Sequence, residues 1–304
     1  MIHSHTFTSA LEKARLIELR TRRAVQEHLW GGLRSIFRGA GMDFDEVREY
    51  VPGDDVRAID WSVTARAGRP FVKLFRQERE LAIILAIDVS ASGEFGSSDQ
   101  SKRELAAELA CVLALAALRS RDKVGLLLFS DHVERFIPAQ SGRGHVLRLV
   151  QDVLSARPEG RGTDIAAALD YLNRVTRRRS AVILVSDYHV YRPEALAELE
   201  RSLHETSRRH DLLSLWLTDP HESELPNVGR VTLQDAESGE LLVLDTTRRR
   251  VREGYKNTVL RHRSAVRQLL QAAQVRSLSL STSKDYMPAL IGLLSGRSED
   301  RSRV

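Results

Sequence analysis

The chain has 304 residues, 42% of them hydrophobic, which is enough for one large α/β domain with a smaller appendage. The 46 Lys and Arg against 41 Asp and Glu give a net charge of +5, a mild basic bias with neither a nucleic-acid motif nor aromatics interleaved with the arginines. The single cysteine, Cys111, rules out an intramolecular disulfide and a cysteine zinc site, and no run reaches the roughly eighteen apolar residues of a membrane span.

The opening stretch MIHSHTFTSALEKARLIELRTRR has no apolar signal-peptide core, so a soluble cytoplasmic protein is expected. Residues 1–32 read as an N-terminal helical segment, with the helix itself over about 10–30. Residues 33–80 are rich in Gly, Asp and Arg, too dense in turn formers for long helices, and read as part of a β-rich module.

The core is expected over 81–222. Within it LAIILAID (81–88), KVGLLLFS (123–130) and SAVILVSD (180–187) are apolar almost throughout, as strands of a parallel sheet covered on both faces must be. Residues 101–120 form an apolar helix opened by Ser101 with Glu104 three later, a capping-box pattern, and Cys111 falls inside it as a buried residue. VERFIPA (133–139) follows the second strand too closely for a helical crossover, so an antiparallel edge strand is predicted there. Helices are predicted over 143–155, 163–178 and 192–208, and strands over 210–219 and 275–283. Strands and helices alternating at this spacing specify a doubly wound, mostly parallel α/β sheet, whose ligand sites lie beyond the carboxyl ends of the strands.

Residues 223–247 contain GRVTLQDAESGELLVLD (229–245), two short strands turning around Glu237 to Glu240, a hairpin expected to join 33–80 in one small β-rich module. Residues 248–296 supply a closing helix, strand and helix; Tyr255, Val259, Val266, Leu269, Leu270 and Ala273 recur at helical spacing with arginines opposite. The polar tail 297–304 is expected to be disordered.

The chemistry is carried by three strand ends. The first ends in Asp88-Val89-Ser90-Ala91-Ser92, Gly162-Thr163-Asp164 opens the helix before the third, and the third ends in Ser186-Asp187. Asp and Ser commonly end strands and cap helices, so D-x-S-x-S alone says little. A doubly wound sheet, however, brings the three loops to one edge, assembling Asp88, Ser90, Ser92, Thr163 and Asp187. Hydroxyls with few carboxylates suit Mg²⁺ or Mn²⁺, which take oxygen ligands, and leave the ion incompletely neutralised, so that a partner's carboxylate completes the shell.

This arrangement resembles the metal-ion-dependent adhesion site of von Willebrand factor type A domains, in which D-x-S-x-S, a threonine and an aspartate on separate loops hold the ion; all five positions are matched, and the resemblance spans about 81–220. Upstream, residues 39–80 resemble the signature of the bacterial family called domain of unknown function 58, through Arg48-Glu49-Tyr50, Pro52-Gly53-Asp54-Asp55, Arg57 and Ile59-Asp60-Trp61. Members are often encoded beside MoxR-type AAA+ ATPases. The resemblance therefore implies an adaptor that works with such an ATPase and its client proteins in chaperone-like remodelling. Many relatives carry membrane helices before this region, and this chain does not. Read from chemistry alone, the charged residues of the signature pair with one another and Trp61 anchors a core or module interface.

Two other classes stand beside the binding module. A Mg²⁺-dependent phosphatase of the haloacid dehalogenase kind also starts with an aspartate ending the first strand, but it needs a second carboxylate two residues on, where this chain has Ser90. A nucleic-acid-binding protein is favoured by the basic balance alone. Neither a phosphate-cradling G-x-x-x-x-G-K-[ST] loop nor a G-x-S-x-G elbow is present, so a non-enzymatic, cation-dependent protein-binding module is the expectation.

Overall fold

A computed structural model of the chain describes residues 37, 47–51, 56, 59, 61–73, 81–97, 100–237 and 239–294. The helix expected over 10–30, the tail 297–304 and most of the charged signature, including Asp54, Asp55, Arg57 and Asp60, lie outside the described residues. Among the described residues no helix is long and apolar enough to cross a membrane. The chain divides into two compact units, one of residues 37–80 and one built on 81–304.

In the smaller unit β1 (Val47–Glu49) pairs antiparallel with β2 (Phe71–Lys73). Between them lies the seven-residue α1 (Trp61–Ala67). Gly68 ends this helix at φ 67°, a left-handed conformation that glycine adopts without a Cβ penalty, and its N–H bonds the Thr64 carbonyl at 3.0 Å. Thr64 Oγ1 accepts from the Phe71 N–H at 3.0 Å, which ties the helix to β2. Trp61 is 70% exposed at the start of α1, which overturns the core half of the core-or-interface anchor expected of it.

The larger unit is a six-stranded sheet in the order β10-β7-β6-β3-β4-β5. Its strands are β3 (Ala82–Asp88), β4 (Lys123–Phe129), β5 (Val133–Gln140), β6 (Ala181–Ser186), β7 (Asp211–Thr218) and β10 (Arg276–Ser281). All neighbours are parallel except β5, which runs antiparallel to β4 at the edge, as its short connection requires. The helices are α2 (Lys102–Arg119), α3 (Arg143–Leu154), α4 (Ile165–Val175), α5 (Pro193–Arg209), α6 (Arg249–Ala272) and α7 (Met287–Leu294). The doubly wound, mostly parallel α/β fold is therefore the one the strand spacing specified.

One face of the sheet, with Ile84, Ala86, Leu127, Val182 and Leu184, packs against Leu169 and Leu172 of α4, Leu199 and Leu203 of α5, and Val266 and Leu270 of α6. Ile83, Leu85 and Ile87, on the alternate positions of β3, are also fully buried, so both faces are covered. On the strands and in α2 these residues are apolar nearly all round, and α2 is accordingly buried along most of its length. Its capping box is complete: Ser101 Oγ accepts from the Glu104 N–H at 3.1 Å, and the Glu104 carboxylate accepts from the Ser101 N–H at 3.0 Å.

The hairpin forms as β8 (Arg230–Gln234) and β9 (Leu241–Asp245), paired with each other alone. It belongs to the larger unit, whereas β1 and β2 make a sheet of their own in the smaller one, so among the described residues no shared sheet forms the single β-rich module expected from the sequence. Both stretches are short and rich in turn formers, and composition does not say which strand pairs with which.

Candidate metal centre

From β3 the chain moves to β4 on one side and then returns with β6 to the other flank of β3, so the winding reverses between β3 and β6. At such a switch point the loops diverge and leave a crevice beyond the strand ends. Ile87 and Val185 pair across it in parallel register, which sets Asp88 opposite Ser186 at the ends of the two strands, with Asp187 the next residue beyond.

Asp88 is buried, and both of its oxygens are engaged. Oδ1 accepts from the Ser90 N–H at 2.9 Å, and Oδ2 accepts from the Ser186 hydroxyl at 2.6 Å. Ser90 and Ser92, also buried, hold their hydroxyl oxygens 3.0 Å apart, and Ser92 bonds onward to Asp187. The loop after β6 is fixed by Tyr188, which sits at φ 56° in the left-handed region. That conformation costs on the order of 1–3 kcal/mol, and the surroundings enforce it. The Tyr188 ring is fully buried edge-on to Trp216, its hydroxyl lies 2.7 Å from Ser214 Oγ, and Trp216 donates from Nε1 to the Asp187 carbonyl at 3.1 Å.

Thr163 comes from a third loop, held against the end of β4. The Gly160 N–H donates to Glu134 at 3.0 Å and the Asp164 N–H to the Ser130 carbonyl at 2.8 Å. A Cβ on Gly160 would lie 2.2 Å from Asp131 Oδ1 and 2.3 Å from Ser130 Oγ, so a side chain there would have to push both aside. Asp164 then caps α4, accepting from the Ala167 N–H at 2.9 Å. The Arg161 carbonyl accepts from the Ala91 N–H at 3.1 Å, which locks this loop to the D-x-S-x-S loop. The structure thus knits Asp88, Ser90, Ser92 and Asp187 into one hydrogen-bonded cluster and places Thr163 on the loop beside it, with its hydroxyl donated to Glu237 Oε1 at 2.6 Å.

Four residues at the site were not legible as part of it. Lys102, the first residue of α2, is fully buried and donates from Nζ to Asp187 Oδ2 at 2.5 Å and to Glu222 Oε1. Glu222 is delivered by a turn after β7 in which the Asp219 carboxylate accepts from the His221 N–H at 2.9 Å, and Glu222 accepts in return from the Asp219 N–H at 3.3 Å. The pattern Asp219-Pro-His-Glu222 is a capping signature that the sequence does contain. His189 places Nδ1 3.4 Å from Asp187 Oδ2 and Nε2 3.7 Å from Glu222 Oε1. Among the described residues, Asp187, His189 and Glu222 present ligand atoms within 4.8 Å of one another, and the carboxylate oxygens involved are those that Lys102 bonds. The fourth, Glu237, comes from the hairpin turn.

The electrostatics follow from crowding carboxyls into a buried crevice. Burial, and then the charge of Asp187, push the Asp88 carboxyl up to about 6 in spite of its hydrogen bonds. Burial works against ionisation of Asp187 too, but His189 and Lys102 hold it well below the usual carboxylate range. Burial opposes the charge on Lys102, and its two carboxylate partners more than offset this and raise its pKa. Glu237 is raised by burial and, beyond that, by the charge of Asp187. Four carboxyls therefore face one ammonium and an imidazole. That surplus of negative charge, with three hydroxyls among the oxygens, fits a hard divalent cation.

Residues 46–265 match a family model described as protein of unknown function DUF58. An uncharacterized protein of Mycobacterium bovis and one of Mycobacterium tuberculosis are each 32% identical over 290 residues, spanning 93% of this chain and 88% of the relative. Among solved structures, the conserved hypothetical protein BatB from Bacteroides thetaiotaomicron is similar at 18% identity and a TM-score of 0.46, covering 71% of this chain and 98% of that one.

Proposed function

This chain belongs to the DUF58 family, and from that premise we propose that it is a protein-binding module rather than an enzyme, using a divalent cation, Mg²⁺ or Mn²⁺, to capture an acidic side chain of its partner. The observation that carries the reading is the pair of buried carboxyls, Asp88 and Asp187, set beside the two serine hydroxyls 3.0 Å apart. Asp88, Ser90, Ser92, Thr163 and Asp187 would hold the ion, the set found in the adhesion site of von Willebrand factor type A domains. A bound cation supplies positive charge at the mouth of the crevice, where a carboxylate gains both coordination and neutralisation.

The chain's own groups prepare that position. Ser186 and the Ser90 N–H orient the Asp88 carboxyl, and Lys102 keeps Asp187 charged. Where a phosphatase of the haloacid dehalogenase kind has its second carboxylate, Ser90 has no group able to exchange protons near neutral pH, which supports binding over turnover. The partner we propose is a MoxR-type AAA+ ATPase, the chain acting as its adaptor in chaperone-like remodelling.

The test measures binding of such an ATPase to the intact protein with Mg²⁺ and with EDTA, for wild type, Asp88→Ala, Thr163→Ala and, on the exposed face of α6, Arg261→Ala. The expected result is loss of binding in EDTA and in the two site variants, with Arg261→Ala unchanged. Normal binding by the site variants with loss in Arg261→Ala would move the interface to α6 and refute the adhesion mechanism.

A further inference from the structure

The β8–β9 hairpin is anchored at its base and at its tip. At its base Thr246, fully buried, donates from Oγ1 to the Gly229 carbonyl at 2.7 Å. At its tip the Thr163 hydroxyl donates to Glu237 Oε1, and the other oxygen, Oε2, lies 3.7 Å from where a Cβ on Gly162 would stand. Between these points the hairpin buries little: Leu241, Leu242 and Val243 of β9 are 68%, 57% and 64% exposed. Apolar packing of that kind contributes little to holding the arm down. The turn is built to project Glu237, since Asp235 accepts the Glu237 N–H on its carboxylate at 3.0 Å and the Gly239 N–H on its carbonyl at 2.9 Å, with Gly239 at φ 75°.

A carboxylate from a weakly packed arm thus accepts the hydrogen bond of the Thr163 hydroxyl. We propose that Glu237 is the chain's own ligand at the cation site, filling the coordination position that a partner's acidic side chain takes, so that the hairpin closes the site until a partner displaces it. The inference rests on the cation reading above.

Mn²⁺ is the probe, because the water protons it relaxes count the exchangeable waters it carries. Titrations of the full chain compare wild type, Glu237→Ala and, from the same turn, Glu240→Ala, each with and without acetate as a free carboxylate. The expected result is that Glu237→Ala gains one exchangeable inner-sphere water per bound Mn²⁺ and that acetate removes the gain, while wild type and Glu240→Ala show neither effect. Equal relaxivity and equal acetate response in all three, with Mn²⁺ bound, would overturn the self-ligand and leave the cation site standing. The same gain in Glu240→Ala would also overturn it, by tracing the effect to a loosened hairpin. Failure of wild type and both variants to bind Mn²⁺ would overturn the cation reading and this inference with it.

Discussion

Asp88→Asn should make the cation-free protein more stable while removing its response to cation. The Asp88 carboxyl is raised from 3.8 to about 6, so the folded chain holds this proton more tightly than the unfolded chain does. Its contribution to stability is present below the unfolded value and is lost as pH rises through about 6. At pH 7.5 the folded protein carries the full cost of a buried charge, roughly 2 pKa units at about 1.4 kcal/mol each, or about 3 kcal/mol. Asparagine keeps the shape and removes the charge, but its amide must face the Ser186 hydroxyl that now donates to Oδ2, so a net gain of about 1–3 kcal/mol is expected. At roughly 2–4 °C per kcal/mol this is a Tm increase of several degrees in EDTA, shrinking toward zero near pH 4. Mn²⁺ at a hundredfold over its Kd should add about 2.7 kcal/mol to wild type and nothing to the variant. Thermal unfolding in EDTA and in Mn²⁺ at the two pH values provides the measurement. A lower Tm for Asp88→Asn in EDTA, or an equal Mn²⁺ increment in both proteins, would refute the argument.

Lys102→Met should act in the opposite sense. It leaves Asp187 and Glu222 without their buried ammonium, costing about 3–5 kcal/mol in EDTA denaturation, and calorimetry should show tighter Mn²⁺ binding because no internal cation competes. Cys111 is buried among the core residues of α2 and its thiol is pushed up to about 12 by burial and the nearby Glu108. A thiol reagent should therefore modify it only on unfolding, and labelling of the native protein at the rate of a free thiol would contradict its place in the core.

The sheet was legible because strands covered on both faces must be apolar throughout, and 81–88, 123–130 and 180–187 have little else in them. The approach of the loops that carry Asp88, Ser90, Ser92, Thr163 and Asp187 was legible for a related reason: strand ends in a doubly wound fold converge, so spacing along the chain converts into proximity. Trp61 misled because size alone argues for burial, while the residue is 70% exposed at the start of α1. Lys102 reads as the first residue after a helix cap, and nothing local says that its side chain runs inward to carboxylates 85 and 120 residues away. Glu237 reads as an ordinary hairpin turn, and only the path of the hairpin brings it to Thr163 across 74 residues. A motif therefore names the atoms able to ligate an ion, while the charge they face is contributed by residues that the motif does not contain. The distinction has a physical consequence. Lys102 offsets the charge of Glu222, so a divalent ion held by the motif would still face the carboxyls of Asp88 and Asp187, and a further carboxylate, from Glu237 or from a partner, would enter to complete its shell of oxygens.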